Sequence, residues 1–430
     1  MRLSVVGAGL AGCEAAYAAA ERGISVILYE MKPHKYSPAH SSPLFAELVC
    51  SNSFKAARLD SAAGLLKAEM RAIDSICLRA ADSCPVPAGG ALAVDRQRFS
   101  EAVTAAVRSH PNITVVEQEV TVLPEGPVVV ATGPLTDGPF AETLRALCGT
   151  DYLRFYDAAA PIVSAESIDM QKAFAASRYD RGDADYLNCP LNKEEYERFH
   201  AALVAAETAP LHDFDKAPKV YEGCMPIEVL AGRGADAIRF GPMKPVGLRD
   251  PHTGHRPWAA VQLRKENAEG SMYNLVGFQT NLKFGEQKRV FSMIPGLQNA
   301  EFLRYGVMHR NSFLNSPALL APTLYLKREP RVYFAGQITG MEGYMESAAG
   351  GLIAGINAAN TLLGRPAFLP PVYTMLGALC RYVAGSTSKD FQPMGANFGI
   401  LPVLETKIKD KRARYMALAQ RAMEFYRMEE

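Results

Sequence analysis

The chain has 430 residues, with 46 lysines and arginines against 45 aspartates and glutamates, which gives a formal net charge of +1. This length corresponds to about two to three domains, or to one large domain with an insertion, and it excludes a short disulfide scaffold. The 48% share of hydrophobic residues also excludes a disordered tail protein. The charge balance excludes a uniform basic field, so we expect any contact with nucleic acid to come from local patches.

The eight cysteines include no C-x-x-C pair and no histidine partner at zinc-ligand spacing. We therefore predict no metal site, no redox dithiol, and reduced thiols in a cytoplasmic protein. The apolar segment 3–10 contains Gly7 and Gly9 and precedes no cleavage site, so it is typical of a strand and turn rather than of a signal peptide. Because no run of about 18 apolar residues occurs, we predict no membrane-spanning helix.

The N-terminal segment predicts a βαβ unit that starts a parallel sheet. An apolar run over 3–6 is followed by a glycine turn and an alanine-rich helix, and a second apolar run over 24–29 ends at Glu30. Two later segments, 126–134 and 332–336, predict buried strands that end in glycine turns. The second of these leads into an Ala- and Gly-rich segment, 347–359, which suits a helix packed closely on a sheet.

The middle of the chain has a different pattern. Between about 160 and 330, a helical segment over 193–206 is followed by alternating segments over 258–263 and 273–278, which predict strands of a separate sheet. We interpret this region as an inserted α+β domain. The segment 409–428 predicts a final helix.

The glycine turn carries an extended dinucleotide fingerprint, Gly7-x-Gly9-x-x-Gly12, with Glu30 at the end of the second strand. Gly7 permits a tight turn, Gly9 lets the backbone approach a pyrophosphate, and Gly12 allows the helix to pack closely on the sheet. The helix N-terminus offers free N–H groups to phosphates, and Glu30 is placed to accept hydrogen bonds from a ribose hydroxyl. The predicted cofactor-binding residues here are Gly7, Ala8, Gly9, Leu10, Ala11, Gly12 and Glu30.

A distal element, 335–344, favours FAD over NAD as the dinucleotide. It lies between a predicted strand and a predicted helix, as in large flavoproteins that close such an element over the flavin. The predicted cofactor-binding residues here are Gly336, Glu342, Gly343 and Tyr344. The predicted fold is therefore α/β, with a Rossmann-like, glutathione-reductase-like FAD-binding domain formed by 1–160 and 330–430 and an inserted α+β domain over 161–329, which we expect to bind the substrate. The extended spacing of the glycine fingerprint and the distal element at Gly336 disfavour a methyltransferase that depends on S-adenosylmethionine.

Several long motifs lie at 6–12, 46–53, 86–96, 185–190, 240–248, 305–311 and 334–359. Together they resemble those of the folate- and FAD-dependent tRNA (uracil-5-)-methyltransferase family, TrmFO. The likeness extends from residue 3 to about 400. The related GidA family, which modifies wobble uridines, shares the glycine fingerprint and the distal element, but its members are much longer.

The resemblance implies C5 methylation of a uridine in the T arm of tRNA, at position 54. It implies 5,10-methylenetetrahydrofolate as carbon donor and reduced FAD as reductant, and we expect NADH or NADPH to reduce the flavin. Uracil C5 becomes nucleophilic only after a group adds to C6, and a thiolate suits that addition. A second group must then remove the C5 proton.

The resemblance also implies the catalytic residues, Cys50 and Cys224. We expect Cys224 to be the nucleophile, because the inserted domain is expected to face the RNA. The other six cysteines are expected to pack in the core. The pterin of the folate must lie near the flavin, and His309 or Tyr344 could hold it there while Asn311 reads its edges.

Two basic clusters are candidates for the RNA interface. One lies between 404 and 421; the other consists of Lys244, Arg249, Arg256, Arg264 and Lys265, with His252 and His255 nearby. Three alternatives remain open. They are the same chemistry on a ribosomal RNA uridine, an FAD-dependent small-molecule oxidoreductase with inert cysteines, and a non-catalytic flavin-binding RNA protein.

Overall fold

The fold is built on two six-stranded sheets. The structure is a computed structural model that describes residues 1–149, 152–158, 160–180, 184–209, 225–267, 269–306, 308–386 and 391–429. The strands are β1 (Arg2–Val6), β2 (Ser25–Glu30), β3 (Ser53–Ala56), β4 (Pro85–Val86), β5 (Ala91–Val94), β6 (Ile113–Glu117), β7 (Val128–Val130), β8 (Tyr152–Ala158), β9 (Ile162–Ser164), β10 (Phe174–Ala175), β11 (Tyr186–Leu191), β12 (Ala259–Lys265), β13 (Met272–Leu275), β14 (Phe302–Arg304), β15 (Met308–Leu314), β16 (Tyr325–Leu326) and β17 (Glu329–Phe334). The helices are α1 (Leu10–Ala20), α2 (Ala62–Ala72), α3 (Ile76–Ser83), α4 (Arg96–Ser109), α5 (Gly138–Cys148), α6 (Lys193–Val204), α7 (Ile227–Ala231), α8 (Ala237–Phe240), α9 (Phe284–Phe291), α10 (Ser316–Leu319), α11 (Tyr344–Leu362), α12 (Met375–Gly385) and α13 (Lys411–Glu429).

The first sheet has the order β16-β17-β7-β1-β2-β6, and all its pairings are parallel except that of β16 with β17. Its central strands are apolar because helices cover both faces, so Val5, Val129 and Leu28 are fully buried. Parallel strands require crossovers, and α1 supplies the one between β1 and β2. The sheet confirms the predicted α/β class and the βαβ unit at the N-terminus.

The long helix α11 packs against α1 at backbone distance. A Cβ atom built on Gly351 would lie 2.1 Å from the carbonyl oxygen of Ala11, and one on Gly355 would lie 2.4 Å from that of Ala15. The Ala- and Gly-rich sequence therefore serves mainly a helix–helix contact, whereas we predicted close packing on the sheet. This contact brings the start of α11 next to the start of α1.

The second sheet is antiparallel, with the order β10-β11-β12-β13-β9-β14. Its core is formed by side chains such as Val261, Leu263 and Leu275 packed against Phe199 of α6 and Phe291 of α9. The strands β8 and β15, which pair antiparallel, lie in the chain before and after this sheet. The domain boundaries at 161 and 329 stay a prediction.

The C-terminal helix α13 returns to the first half of the chain. Tyr426 of α13 donates a hydrogen bond of 3.4 Å to Glu69 of α2, which also accepts the N–H groups of Met375 and Leu376 at the start of α12. The predicted helix over 409–428 is thus found as Lys411–Glu429. Within the described ranges, every helix is too short or too polar to cross a bilayer.

Candidate active site

A deep cleft opens at the carboxyl ends of the parallel strands. Its walls include Gly7 after β1, Glu30 at the end of β2, Thr132 after β7 and Gly336 after β17. Ligands of open α/β sheets bind at this edge. The cleft holds about 1530 Å³ of space between protein atoms, a volume that includes open solvent at its mouth.

The glycine loop at the base of the cleft has the geometry that the fingerprint predicts. Gly7 has φ +97, and a Cβ there would lie 2.7 Å from the carbonyl oxygen of Ala131, so the turn requires glycine. A Cβ on Gly12 would lie 1.7 Å from the carbonyl oxygen of Gly7, so α1 starts directly against the loop. Gly9 caps α1 and lines the cleft, which exposes the helix N-terminus to a phosphate.

Glu30 fixes the loop as well as lining the cleft. Its carboxylate accepts the N–H of Ala8 at 2.7 Å and the N–H of Lys32 at 3.0 Å. A carboxylate has about four lone-pair sites, so these two bonds leave acceptor capacity for a ribose hydroxyl. Because the Ala8 amide is already bound to Glu30, its predicted contact with the cofactor cannot use that N–H group.

The distal element closes the cleft from the β17 side. The Gln337 amide donates to both carboxylate oxygens of Glu342, at 3.0 and 2.9 Å, and Glu342 is buried. Gly336 and Tyr344 line the cleft. The two cofactor elements predicted from distant parts of the sequence therefore lie on one cavity.

Tyr344 joins this element to the segment that carries Cys50. Its hydroxyl accepts the N–H of Cys50 at 2.7 Å and the N–H of Ser51 at 3.1 Å. Burial raises the pKa of the Tyr344 hydroxyl well above its usual range, and nearby Cys50 raises it further, so the phenol keeps its proton. The half-buried Cys50 itself lines the cleft.

Three arginines hold the Cys50 segment from the opposite side, and we call them the arginine clamp (Arg96, Arg264, Arg304). Arg96, at the start of α4, donates to the carbonyl of Leu48. Arg304, at the end of β14, donates to the carbonyl of Cys50 at 3.1 Å. Arg264 of β12 is the buried member, and it donates to the Ser51 hydroxyl at 2.7 Å and to the Asn52 side chain at 3.0 Å.

The arginine clamp carries more positive charge than its partner Glu266 neutralises. Glu266 is buried and accepts two hydrogen bonds from Arg96, at 3.0 and 2.7 Å. Burial lowers the pKa of Arg304, and the charge of Arg96 lowers it further, while Glu266, Tyr344 and Cys50 oppose the shift. A thiol beside such a cluster is placed where its anion is stabilised.

The other cysteines are either core residues or outside the described ranges. The buried ones are Cys13, Cys77, Cys84, Cys148, Cys189 and Cys380. Burial raises the pKa of Cys84 to about 11 and those of Cys189 and Cys380 to about 12, so these thiols stay protonated. Cys224, the predicted nucleophile, lies outside the described residues.

The predicted folate residues lie on β15. His309 is opposite Asp157 and Asn311 is opposite Phe155 in the pairing of β15 with β8. The side chains of both residues lie outside the part of the chain that the structure describes. The strand itself reaches the cleft, because the N–H of Ser312 donates at 2.7 Å to the carbonyl of Pro134, which lines it.

The basic clusters differ in exposure. In the C-terminal cluster Lys407, Lys409 and Lys411 are exposed. In the second cluster Arg249 and Arg256 are exposed, but Arg264 is not part of an RNA surface, because it is 7% exposed and is bound to Ser51 and Asn52. Among the described residues, no three metal-binding side chains gather into one group.

Sequence comparisons identify the family. The chain is 58% identical over 422 residues to the methylenetetrahydrofolate-tRNA-(uracil-5-)-methyltransferase TrmFO of Halalkalibacterium halodurans, covering 98% of this chain and 97% of that protein. It is equally 58% identical over 425 residues to the protein of the same name from Anoxybacillus flavithermus, covering 99% and 98%. The chain belongs to the TrmFO family.

The wider relationships of the TrmFO family agree with the fold. The family described as glucose inhibited division protein A matches residues 2–366. The structure of GidA from Aquifex aeolicus aligns with 99% of this chain and 73% of that chain, with a TM-score of 0.68 at 17% identity. These matches confirm the predicted resemblance and the Rossmann-like fold class.

The resemblance pointed to Cys50, and the spacing of residues predicted the glycine loop and the distal element, but neither predicted the arginine clamp. The catalytic role of Cys50 stays a prediction. Arg96 is the last residue of the motif 86–96 that we quoted for the resemblance, and it lies two residues after the end of β5. Its position at a strand end beside a predicted active-site segment was a usable signal. Arg264 gave no such signal, because a basic residue in an alternating strand is more often exposed.

Proposed function

We propose that this protein transfers the one-carbon group of 5,10-methylenetetrahydrofolate to C5 of a uridine in the T arm of tRNA, at position 54, and that the carbon is reduced there to a methyl group. The observation that carries the proposal is the position of Cys50. This residue lines the dinucleotide cleft, its N–H is bound by Tyr344, and its carbonyl is bound by Arg304.

The cleft fits FAD. The start of α1 offers N–H groups to the pyrophosphate, Glu30 keeps acceptor capacity for a ribose, and the distal element at Gly336 supplies the second wall. When bound, FAD would supply the electrons that reduce the transferred carbon. We propose NADH or NADPH as the source of these electrons.

The cysteine chemistry requires one thiolate to add to C6 of the uracil and one group to remove the C5 proton. The arginine clamp stabilises negative charge beside Cys50, which suits either the thiolate or the base that takes the proton. We propose Cys224 as the second thiol and as the group that adds to C6. A cytoplasmic location would keep both thiols reduced.

Folate and RNA have separate surfaces in this proposal. We assign His309 and Asn311 of β15 to the pterin, because the backbone of this strand reaches the cleft at Pro134. We assign the exposed basic residues Lys407, Lys409 and Lys411 to the tRNA phosphates. The RNA affinity is therefore expected to fall steeply as the salt concentration rises.

Isotope transfer tests the proposal directly. The protein is incubated with NADPH, unmodified tRNA and 5,10-methylenetetrahydrofolate whose methylene group is labelled. The nucleosides are then analysed by mass spectrometry. We expect the label at the C5 methyl of the T-arm uridine, and no label when S-adenosylmethionine carries it instead. Label in a ribosomal RNA fragment but not in tRNA would contradict the proposed target, and NADPH oxidation without labelled RNA would contradict the RNA chemistry.

A further inference from the structure

Three aromatic rings form a continuous stack that ends at the protein surface, and we call it the aromatic stack (Phe284, Tyr305, Phe302). The rings of Phe302 and Tyr305 have centroids 5.3 Å apart and planes within 9°. Those of Tyr305 and Phe284 have centroids 4.9 Å apart and planes within 14°. Phe284 is 55% exposed. Because Tyr305 covers one face of its ring, the opposite face is directed to solvent.

Hydrogen bonds hold the backbone next to Tyr305 and Phe284 in place. The Gln287 side chain of α9 accepts the N–H of Gly306 at 2.8 Å and donates to its carbonyl at 2.8 Å, which holds the residue after Tyr305 against α9. The N–H of Lys283 donates to the carbonyl of Glu207 at 3.0 Å, which holds the start of α9. A ligand stacked on Phe284 would therefore lose little affinity to ordering of the protein.

In the sequence, the aromatic stack adjoins the arginine clamp. Tyr305 directly follows Arg304, whose guanidinium donates to the carbonyl of Cys50. The strand β14, which carries Arg304, is the edge strand of the second sheet, so no further strand covers this side among the described residues.

An exposed cation lies one helical turn after Phe284. Lys288 is exposed and lies four residues after Phe284 on α9, so the two side chains share one face of the helix. A Cβ built on Gly285 would meet no other described atom within 4 Å, which leaves room for an approaching ligand. An open ring face with an ammonium one turn away matches a nucleotide, whose base stacks and whose phosphate is anionic.

We propose that the exposed face of Phe284 binds an unpaired nucleobase of the RNA substrate and that Lys288 contacts a phosphate of the same strand. The inference rests on the proposed function for the identity of the substrate as RNA. Unpaired bases in loops are commonly stacked on aromatic side chains, whereas bases inside a duplex are not accessible for this. The site therefore selects a looped or unpaired part of the tRNA.

The test compares the affinities of FAD-loaded, full-length variants for unmodified tRNA. Phe284→Ala is expected to bind about tenfold more weakly, because it removes one stacking partner. Phe284→Trp is expected to bind as tightly as the wild type, since its ring can also stack. Phe240→Ala removes another exposed phenylalanine, 65% exposed, and is expected to leave the affinity unchanged.

Two results would overturn the proposal. One is wild-type affinity in Phe284→Ala. The other is wild-type affinity in Phe284→Leu, because leucine has no ring that can stack and the contact would then be only apolar. Lys288→Ala is expected to lower the slope of log affinity against log salt by about 0.7–0.9, and an unchanged slope contradicts the phosphate contact. Carbon transfer by the wild-type protein is measured on the same tRNA. If the proposed function is wrong, the wild type transfers no carbon; if the stacking proposal is wrong, Phe284→Ala binds the tRNA with unchanged affinity.

Discussion

At the scale of single residues, the position of Cys50 depends on one phenol. The Tyr344 hydroxyl is an acceptor for two successive N–H groups, those of Cys50 and Ser51. Buried N–H groups without an acceptor are costly, so this pair of bonds fixes the segment and not only the tyrosine. Cys50 is thereby aimed into the cleft by the same element that closes it.

We expect Tyr344→Phe to lower the free energy of unfolding by about 1–3 kcal/mol, because two N–H groups lose their acceptor. Carbon transfer should fall at least tenfold while FAD remains bound, since Cys50 is no longer held. Urea unfolding and the transfer rate measure the two effects. Tyr196→Phe is the control, because it removes one hydrogen bond to Ala235 far from the cleft. Equal transfer rates in the two variants would contradict this role of Tyr344.

At the scale of elements, the α1–α11 contact supports the cofactor loop. Both helices start at the cleft, and their backbones touch at Gly351 and Gly355. Any side chain there would separate the helices and move the start of α1 away from the phosphate site. The glycines of α11 are therefore as much a part of the cofactor site as those of the fingerprint.

We predict that Gly351→Ala destabilises the protein by about 1–3 kcal/mol through overpacking against Ala11 and weakens FAD binding. Urea unfolding and the equilibrium affinity for FAD measure this. Gly385→Ala in α12 is the matched control, because a Cβ there meets no other described atom within 4 Å. Wild-type FAD affinity in Gly351→Ala would contradict the proposed link between helix contact and cofactor loop.

Buried Glu69 ties α2 to the start of α12 and to α13, and it makes the stability depend on pH. Burial raises its pKa from 4.5 to about 8. A raised pKa means that the folded state binds the proton more tightly, so the contribution to stability is full below pH 4.5 and is lost as the pH rises through 8. We expect the free energy of unfolding to fall between about pH 4.5 and 8, and to fall less in Glu69→Gln. Identical pH profiles of the two proteins would contradict this account.

At the scale of the whole molecule, the two sheets are joined by polar groups at the active site. Arg264 and Arg304 come from the second sheet, Arg96 from α4, and all three bind the segment that carries Cys50. Glu266 completes this junction through Arg96. The candidate active site therefore depends on residues from the second sheet as well as on the elements around the first sheet.

Glu266→Gln should destabilise the protein by about 3–5 kcal/mol, because it leaves the charge of Arg96 without its buried partner. Urea unfolding is the measurement. The exposed pair of Arg98 with Glu269, at 2.9 Å, supplies the control. Glu269→Gln should change the free energy of unfolding by less than about 1 kcal/mol, and equal effects of the two substitutions would contradict the structural role of Glu266.

The sequence predicted the parts of the site that local patterns encode. The glycine turn, the strand ends at Glu30 and Gly336, and the helices after them follow from spacing and hydrophobic runs. The arginine clamp could not be predicted in this way, because Arg96, Arg264 and Arg304 meet only after two sheets have packed. Arg264 illustrates the limit, since we predicted it in a basic cluster for RNA and the junction buries it.

The central claim is that Cys50, held at the cleft by Tyr344 and the arginine clamp, takes part in carbon transfer. The most direct test is the single-turnover rate of label transfer from folate to tRNA in Cys50→Ala, with Cys380→Ala as control because its thiol is buried in the core. We predict that Cys50→Ala binds FAD but transfers carbon at least a hundredfold more slowly, while Cys380→Ala stays within a few-fold of the wild type. A Cys50→Ala protein that transfers the label at the wild-type rate would contradict the claim.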